Sequence, residues 1–282
     1  MNCYNFVEYN FDKGLLDNSI DATYVLHLEN NGRINKVIEQ LYKYKPTKKI
    51  YILYNKGFKK CNKKLTKNIP DKDIVHNNLT IFQHAKNLNY NNILILEDDF
   101  IFNDKIKNKD ILNDLNIFLN KYINEKFIYY IGGTPVYSVP YIKNHYIPLF
   151  VTSLHCCVYS KSTRELLLYN SKNVLDTFLF WDIYLNENKN INKYHYKYPL
   201  CYQIFSLTEN QKHWTISNNP LINKITINFF LFCINVLNLD KTPEPGFTII
   251  YIFSIVSFYF FIFFIIYIIY KYIQLRNKKI VL

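Results

Sequence analysis

The sequence predicts an α/β domain with a mostly parallel sheet flanked by helices, followed by one C-terminal transmembrane helix. Three observations carry this expectation. Short apolar runs alternate with amphipathic stretches, the pattern of a sheet covered by helices. Ile93-Leu94-Ile95-Leu96 is a continuous apolar run, as in a central parallel strand buried on both faces. Phe247 to Tyr270 is 24 residues without a charge, made only of Phe, Tyr, Ile, Val, Thr and Ser.

Residues 1–20 are read as an N-terminal extension to a domain spanning 21–240. Ala22 to Leu28 is a short apolar run and reads as the first strand. Asn31 to Tyr44 places Ile34, Val37, Ile38 and Leu41 on one helical face, and Pro46 ends the helix. Ile50 to Tyr54 reads as a second strand. Residues 56–70, rich in Lys and holding Gly57 and Pro70, read as a solvated loop. Asn77 to Leu88 has helical spacing, with a turn at Asn91-Asn92 before the central strand. A helix is expected over Asp104–Asn124, then a strand at Phe127–Ile131 that breaks at Gly132-Gly133. A β-rich stretch around Phe150–Tyr159 follows, with helices from Ser162 and from Leu175.

Ile225 to Leu239 is apolar but carries Asn228, Asn235 and Asn238. It is too short and polar to span a bilayer and reads as an interfacial helix or as the domain's last packed element. Residues 241–246, with Pro243-Glu244-Pro245-Gly246, form a linker that cannot continue a helix. A helix over 247–270, at about 1.5 Å per residue, crosses a hydrocarbon core of about 30 Å with tilt to spare.

The basic tail, 271–282, carries Lys271, Arg276, Lys278 and Lys279, against Asp240, Lys241 and Glu244 on the upstream flank. By the positive-inside rule the tail would lie in the cytosol. The N-terminal residues show no secretory signal pattern, which argues for the opposite: a tail anchor with the domain in the cytosol. The tail anchor is the expectation, and the lumenal orientation stays open.

The net charge of +12 does not point to nucleic acid. Only Arg33, Arg164 and Arg276 are arginines among 34 basic residues. Specific nucleic-acid readers lean on the planar guanidinium fork, which Lys lacks. A Lys-rich surface from an A/T-rich coding sequence accounts for the excess, and +4 of it belongs to the tail. The 49% hydrophobic content excludes a disordered chain.

The six cysteines form no C-x-x-C pair and no zinc spacing. His155-Cys156-Cys157 lies in a strand-like run, where neighbouring side chains point to opposite faces and cannot converge on one ion. Buried free thiols are expected there. Adjacent cysteines in a chain of this length argue against a disulfide framework.

Glu97-Asp98-Asp99 ends the most buried strand, at the edge where open α/β sheets bind ligands. Three adjacent carboxylates repel one another, and a Mg²⁺ or Mn²⁺ ion would relieve that while keeping positions for water and phosphate. A diphosphate leaving group needs such an ion as charge builds on it. A solvated turn or a helix start explains the same residues, since acidic side chains are favoured there too.

Ile93 to Phe102, with its Leu-Glu-Asp-Asp core, resembles the acidic segment of glycosyltransferase family 25, the lipooligosaccharide and collagen galactosyltransferases. Tyr24 to Glu29 followed by Arg33 is similar to that family's opening strand and basic residue. His84 stands where the family has a Ser-His helix, with Gln83 in place of Ser. His155 to Lys161 followed by Glu165-Leu166-Leu167, then Trp181-Asp182, then Pro199 to Gln203, resemble later segments in order. The likeness covers roughly residues 22–215.

The resemblance implies a GT-A-like (Rossmann-like) fold and a nucleotide-sugar donor, UDP-linked in the leading case. It implies transfer of a hexose, galactose or glucose, to a glycan or glycoprotein hydroxyl. Carried over, Glu97 and Asp99 would hold Mn²⁺ (or Mg²⁺), Asp98 would contact the donor's ribose or sugar, and His84 would lie on the donor side. Asp182 is the candidate base for the acceptor hydroxyl. In the polar-aromatic run at 209–214, His213 is a candidate late metal ligand and Trp214 a candidate sugar-stacking surface. Glu29-Asn30-Asn31 replaces the family's Asp-Arg-Arg-like run. That keeps a second reading open: an inactive, glycosyltransferase-like, membrane-anchored binding protein. Another Mg²⁺ enzyme, a nucleotidyltransferase or phosphohydrolase, would need further carboxylates or a longer phosphate-cradling Gly loop than Gly132-Gly133.

Overall fold

The computed structural model describes residues 2–177, 180–205 and 220–280. Its centre is a seven-stranded mixed sheet in the order β1-β3-β2-β4-β7-β6-β8. The three strands that carry the site are parallel: β3 (Lys49–Asn55), β2 (Ala22–Leu28) and β4 (Asn92–Glu97). Antiparallel neighbours extend them on both sides, β1 (Tyr4–Asn10) on β3 and β7 (His145–Ser160) on β4. The expected parallel core is therefore present as three strands inside a mixed sheet. β6 (Phe127–Ile142) pairs with β7 antiparallel and with β8 (Asn192–Tyr196) in parallel.

Helices cover both faces. In β2 and β4 successive residues serve opposite layers, so both strands are apolar over most of their length. Val25, Leu94 and Leu96 pack with Val37 and Leu41 of α1 (Ile34–Tyr44) and with Leu115 and Phe118 of α3 (Lys109–Lys121). Tyr24, Ile93 and Ile95 pack with Val75, Ile81 and Phe82 of α2 (Pro70–Asn87), beside Leu167 of α4 (Lys161–Tyr169). Val174 of α5 (Ser171–Asp176) and Trp181 of α6 (Trp181–Glu187) complete that layer. The strand pair Cys156 and Cys157 divides between the two layers, as alternation requires, and both are free thiols.

Four expectations need correction. The stretch 1–20, read as an N-terminal extension, contributes Tyr4–Asn10 to the central sheet as its edge strand β1. The 56–70 segment is not a freely solvated loop. Lys63 is buried, with its ammonium on Asp73 and on the Asn55 side chain. A disulfide joins Cys3 to Cys61, tying that segment to the start of β1. β6 runs straight through Gly132-Gly133 with register shifts rather than ending there. The glycines allow close passage: a Cβ on Gly132 would stand 2.4 Å from His155 Nε2 and 2.6 Å from the Cys201 carbonyl oxygen.

α7 (Pro220–Val236) leads through a short turn into α8 (Gly246–Ile280). Gly246–Gln274 is 29 residues, long and apolar enough to cross a membrane. Its first two turns are docked on the domain. Phe247, Tyr251 and Ser254, at i, i+4 and i+7, are buried. Ser254 hydrogen-bonds Ser138 of β6 at 2.5 Å, and Ser138 bonds His195 of β8 at 2.7 Å. Farther along, the run from Tyr259 to Ile273 is exposed.

Candidate active site at the acidic turn

β4 ends at Glu97, and the chain turns through Asp98 and Asp99 into β5 (Phe100–Phe102), which pairs with β9 (Cys201–Gln203). The turn therefore lies at the C-terminal edge of the parallel strands, between the end of β2 and the end of β9. Its three carboxylates have different surroundings.

Asp98 is held on all sides. Its Oδ2 accepts from His27 Nδ1 at 3.0 Å, from the Leu28 backbone N–H at 3.1 Å and from the Asn31 side chain. Its Oδ1 accepts from Arg33 Nη1 at 2.9 Å. Burial works against ionisation, but the His27 bond and the Arg33 charge outweigh it and keep the Asp98 carboxyl below its ordinary range.

Asp99 is half-committed. Its Oδ2 accepts from the same Arg33 nitrogen and from Gln203 Nε2, both at 3.1 Å. Its Oδ1 is buried without a hydrogen-bond partner. Burial pushes this carboxyl up to about 6 despite Arg33 and Gln203. Glu97 stands higher still, at about 8, through burial first and then the charges of Asp99, Asp98 and Asp182. Gln203 Nε2 lies 3.4 Å from its Oε2.

Asp182 opens α6, near enough to Glu97 for their charges to repel. Burial pushes it to about 6, against a bond from the Ile183 N–H at 2.9 Å. α6 is fixed from behind, where the Trp181 N–H donates to Asp71 of α2.

The structure thus brings together Glu97, Asp98 and Asp99, with Asp182 within electrostatic reach of Glu97. It does not bring His84 to them. His84 packs in an aromatic nest on the α2 side, stacked on Phe6 at 4.1 Å and bonded to the Tyr24 hydroxyl at 2.9 Å. Burial holds it below its usual value, so its surroundings are those of a packed neutral ring. His213 and Trp214 lie outside the described residues. His27, Asn31 and Gln203 belong to the site although their types and spacing did not single them out. The available signal was position: two follow or end the opening strand, and one closes the last.

Could these residues hold a metal ion? Among the described residues no three His, Cys, Asp or Glu side chains form a metal cage. The cluster offers two carboxylates, Asp99 with its unpartnered Oδ1 and Glu97, both uncomfortable as anions. Mg²⁺ and Mn²⁺ sites that share a nucleotide often need no more from the protein, since phosphates and waters complete the shell. The donor set fits that kind of ion. A separate cleft of about 400 Å³, lined by Asn108, Asp114, Asn144 and Tyr198 among others, does not include the acidic turn.

No protein-family model matches the chain, and no curated protein matches it in sequence. Among solved structures, the fold is similar to a glycosyltransferase involved in the glycosylation of the major capsid of PBCV-1. The TM-score is 0.41 at 11% identity, covering 68% of this chain and 95% of that one. At that level the likeness assigns neither activity nor substrate.

Proposed function

We propose that this chain is a membrane-anchored glycosyltransferase of GT-A type. It would move a hexose from a UDP-sugar to a glycan or protein hydroxyl. The observation that carries the reading is the acidic turn itself. At the ligand-binding edge of three parallel strands, one carboxylate is held as an anion and the other two are raised by desolvation, Asp99 with one oxygen that has no partner. Such a turn is built to receive positive charge. The family-25 resemblance of the surrounding residues supplies the donor class.

In this reading Asp99 and Glu97 would hold Mn²⁺ or Mg²⁺, and the ion would offset the charge that builds on the departing diphosphate. Asp98 keeps the turn in shape through His27, Asn31 and Arg33; a donor contact from it would require exchanging one of those bonds. Gln203 orients both Glu97 and Asp99. Asp182, with a carboxyl raised to about 6, is poised to take the acceptor's hydroxyl proton near neutral pH. The acceptor oxygen then attacks the sugar's anomeric carbon as the bond to the diphosphate breaks.

The Cys3–Cys61 disulfide supports a compartment for the domain opposite to the one expected. Disulfides persist in oxidising spaces, and the basic tail agrees in placing itself on the cytosolic side. We therefore favour the lumenal or external orientation for the domain.

The test is a panel of nucleotide sugars incubated with the full chain and Mn²⁺, scoring release of nucleoside diphosphate. Metal-dependent release from one donor is expected. Donor binding without turnover would favour the inactive binding protein, and neither binding nor release would overturn the reading.

A further inference from the structure

The domain's last soluble helix has an exposed apolar stripe that the sheet core does not use. Ile225, Phe229, Phe232 and Val236 of α7 follow one another at i, i+4, i+7 and i+11, which places them on one side of the helix. Each is between 60% and 62% exposed. Lys224, Asn228 and Asn235 flank the stripe along one edge and are also exposed. The opposite side of α7 faces the protein: Ile234 is buried with Tyr202, Leu239 and Phe247. The helix is therefore apolar on two sides, one packed and one open, with a polar margin.

Its position says what the open side meets. α7 ends ten residues before the candidate span begins at Gly246. The connecting turn is pinned to the first turn of α8. Leu239 and Phe247 share one cluster, the Phe205 N–H donates to the Leu239 carbonyl at 3.0 Å, and Phe205 stacks on Phe247 at 6.0 Å. The C-terminal end of the stripe therefore lies beside the start of α8, whose first two turns are docked on the domain before the helix becomes exposed.

We propose that this face of α7 lies in the interfacial layer of the same bilayer that α8 crosses, so that the domain has two membrane contacts rather than one tether. A partly apolar helix with a Lys and Asn margin suits that layer. Two contacts fix orientation where one leaves the domain free to swing. β9 also connects the acidic turn to the base of the anchor. Tyr202 reaches Glu244 and Phe247 at the anchor, while the adjacent Gln203 reaches Glu97 and Asp99. The inference rests on the reading of α8 as a membrane span.

The experiment places the photo-crosslinker p-benzoylphenylalanine, one site at a time, in the full chain. The protein is reconstituted in vesicles of phosphatidylcholine and phosphatidylglycerol at three to one. Phe229 is the test position, Phe263 in the exposed part of α8 the positive control, and Tyr169, 88% exposed on α4, the negative control. Lipid adducts, read by mass, are expected at 229 and 263 and absent at 169. An adduct between two protein copies at 229, or no lipid adduct at 229 when 263 gives one, overturns the proposal. No adduct at 263 overturns the membrane span and this inference with it. The glycosyltransferase reading is scored separately by the donor panel.

Discussion

Replacing Glu97 by Gln keeps the side chain's shape and its contact with Gln203 but removes its charge. Burial, then Asp99, Asp98 and Asp182, raise the Glu97 carboxyl from 4.5 to about 8. Below pH 4.5 the group is protonated folded and unfolded alike and contributes nothing. Between 4.5 and 8 the folded state holds a proton that the unfolded state has lost, so stability falls as pH rises; above 8 the loss is complete. By linkage the shift corresponds to about 3 kcal/mol at pH 7. Partial solvent access and joint titration with Asp99 reduce what is recovered, and we expect Glu97→Gln to gain about 1–2 kcal/mol there. For a chain of this size that is roughly 2–8 °C in Tm. The assay is thermal unfolding of the full chain in detergent with chelator, from pH 4.5 to 8.5. The variant's advantage should widen with pH, and added Mn²⁺ should stabilise the wild type more than the variant. A variant less stable than wild type at pH 8, or an advantage independent of pH, would refute the electrostatic account of the turn.

Other outcomes follow from the same contacts. Asp98→Asn strips the charge that Arg33 and His27 address and should lower stability by about 3 kcal/mol, read by the same melt. Its effect should weaken in acid, as the wild-type carboxyl becomes protonated. Reducing the Cys3–Cys61 bond, or Cys3→Ser, should cost about 2–4 kcal/mol, and maleimide labelling of protein taken directly from the expressing membrane should reach both thiols only after reduction. Gly132→Ala drives a Cβ into His155 and the Cys201 carbonyl and should cost about 1–3 kcal/mol by chemical denaturation, whereas a Gly32→Ala control has open space around its Cβ and carries only its backbone strain.

Much of this fold was legible in the sequence because its central pieces are local. The stripe Ile34, Val37, Ile38 and Leu41 sits on α1, and Ile93 to Leu96 is the buried strand it promised to be. What was missed depends on distant partners. β1 is an edge strand defined by pairing Tyr4 with Asn55, which no local pattern encodes. The first turns of α2 hid their helix because Asp71, Lys72, Asp73, Asn77 and Asn78 are polar yet buried. Lys63, just upstream, satisfies Asp73, while Trp181 and Thr177 satisfy Asp71 and Lys72 from far along the chain. The site divides in the same way. Three adjacent acids announce themselves, but which one is locked and which are exposed to repulsion depends on His27, Asn31, Arg33 and Gln203. The folded sheet edge alone brings these together. His84 shows the converse: a motif position can be filled by a histidine whose neighbours are Phe6, Tyr24 and Tyr51.

The central claim is that the acidic turn receives a divalent ion together with a nucleotide. Titration of Mn²⁺ into the full chain with UDP present, followed by electron paramagnetic resonance of the free ion, measures it directly. Wild type should bind, and Asp99→Asn, which neutralises the carboxylate with the unpartnered oxygen, should weaken Mn²⁺ binding at least tenfold, about 1.4 kcal/mol. Undiminished Mn²⁺ binding by Asp99→Asn, in a variant whose melt shows it folded, would contradict the account.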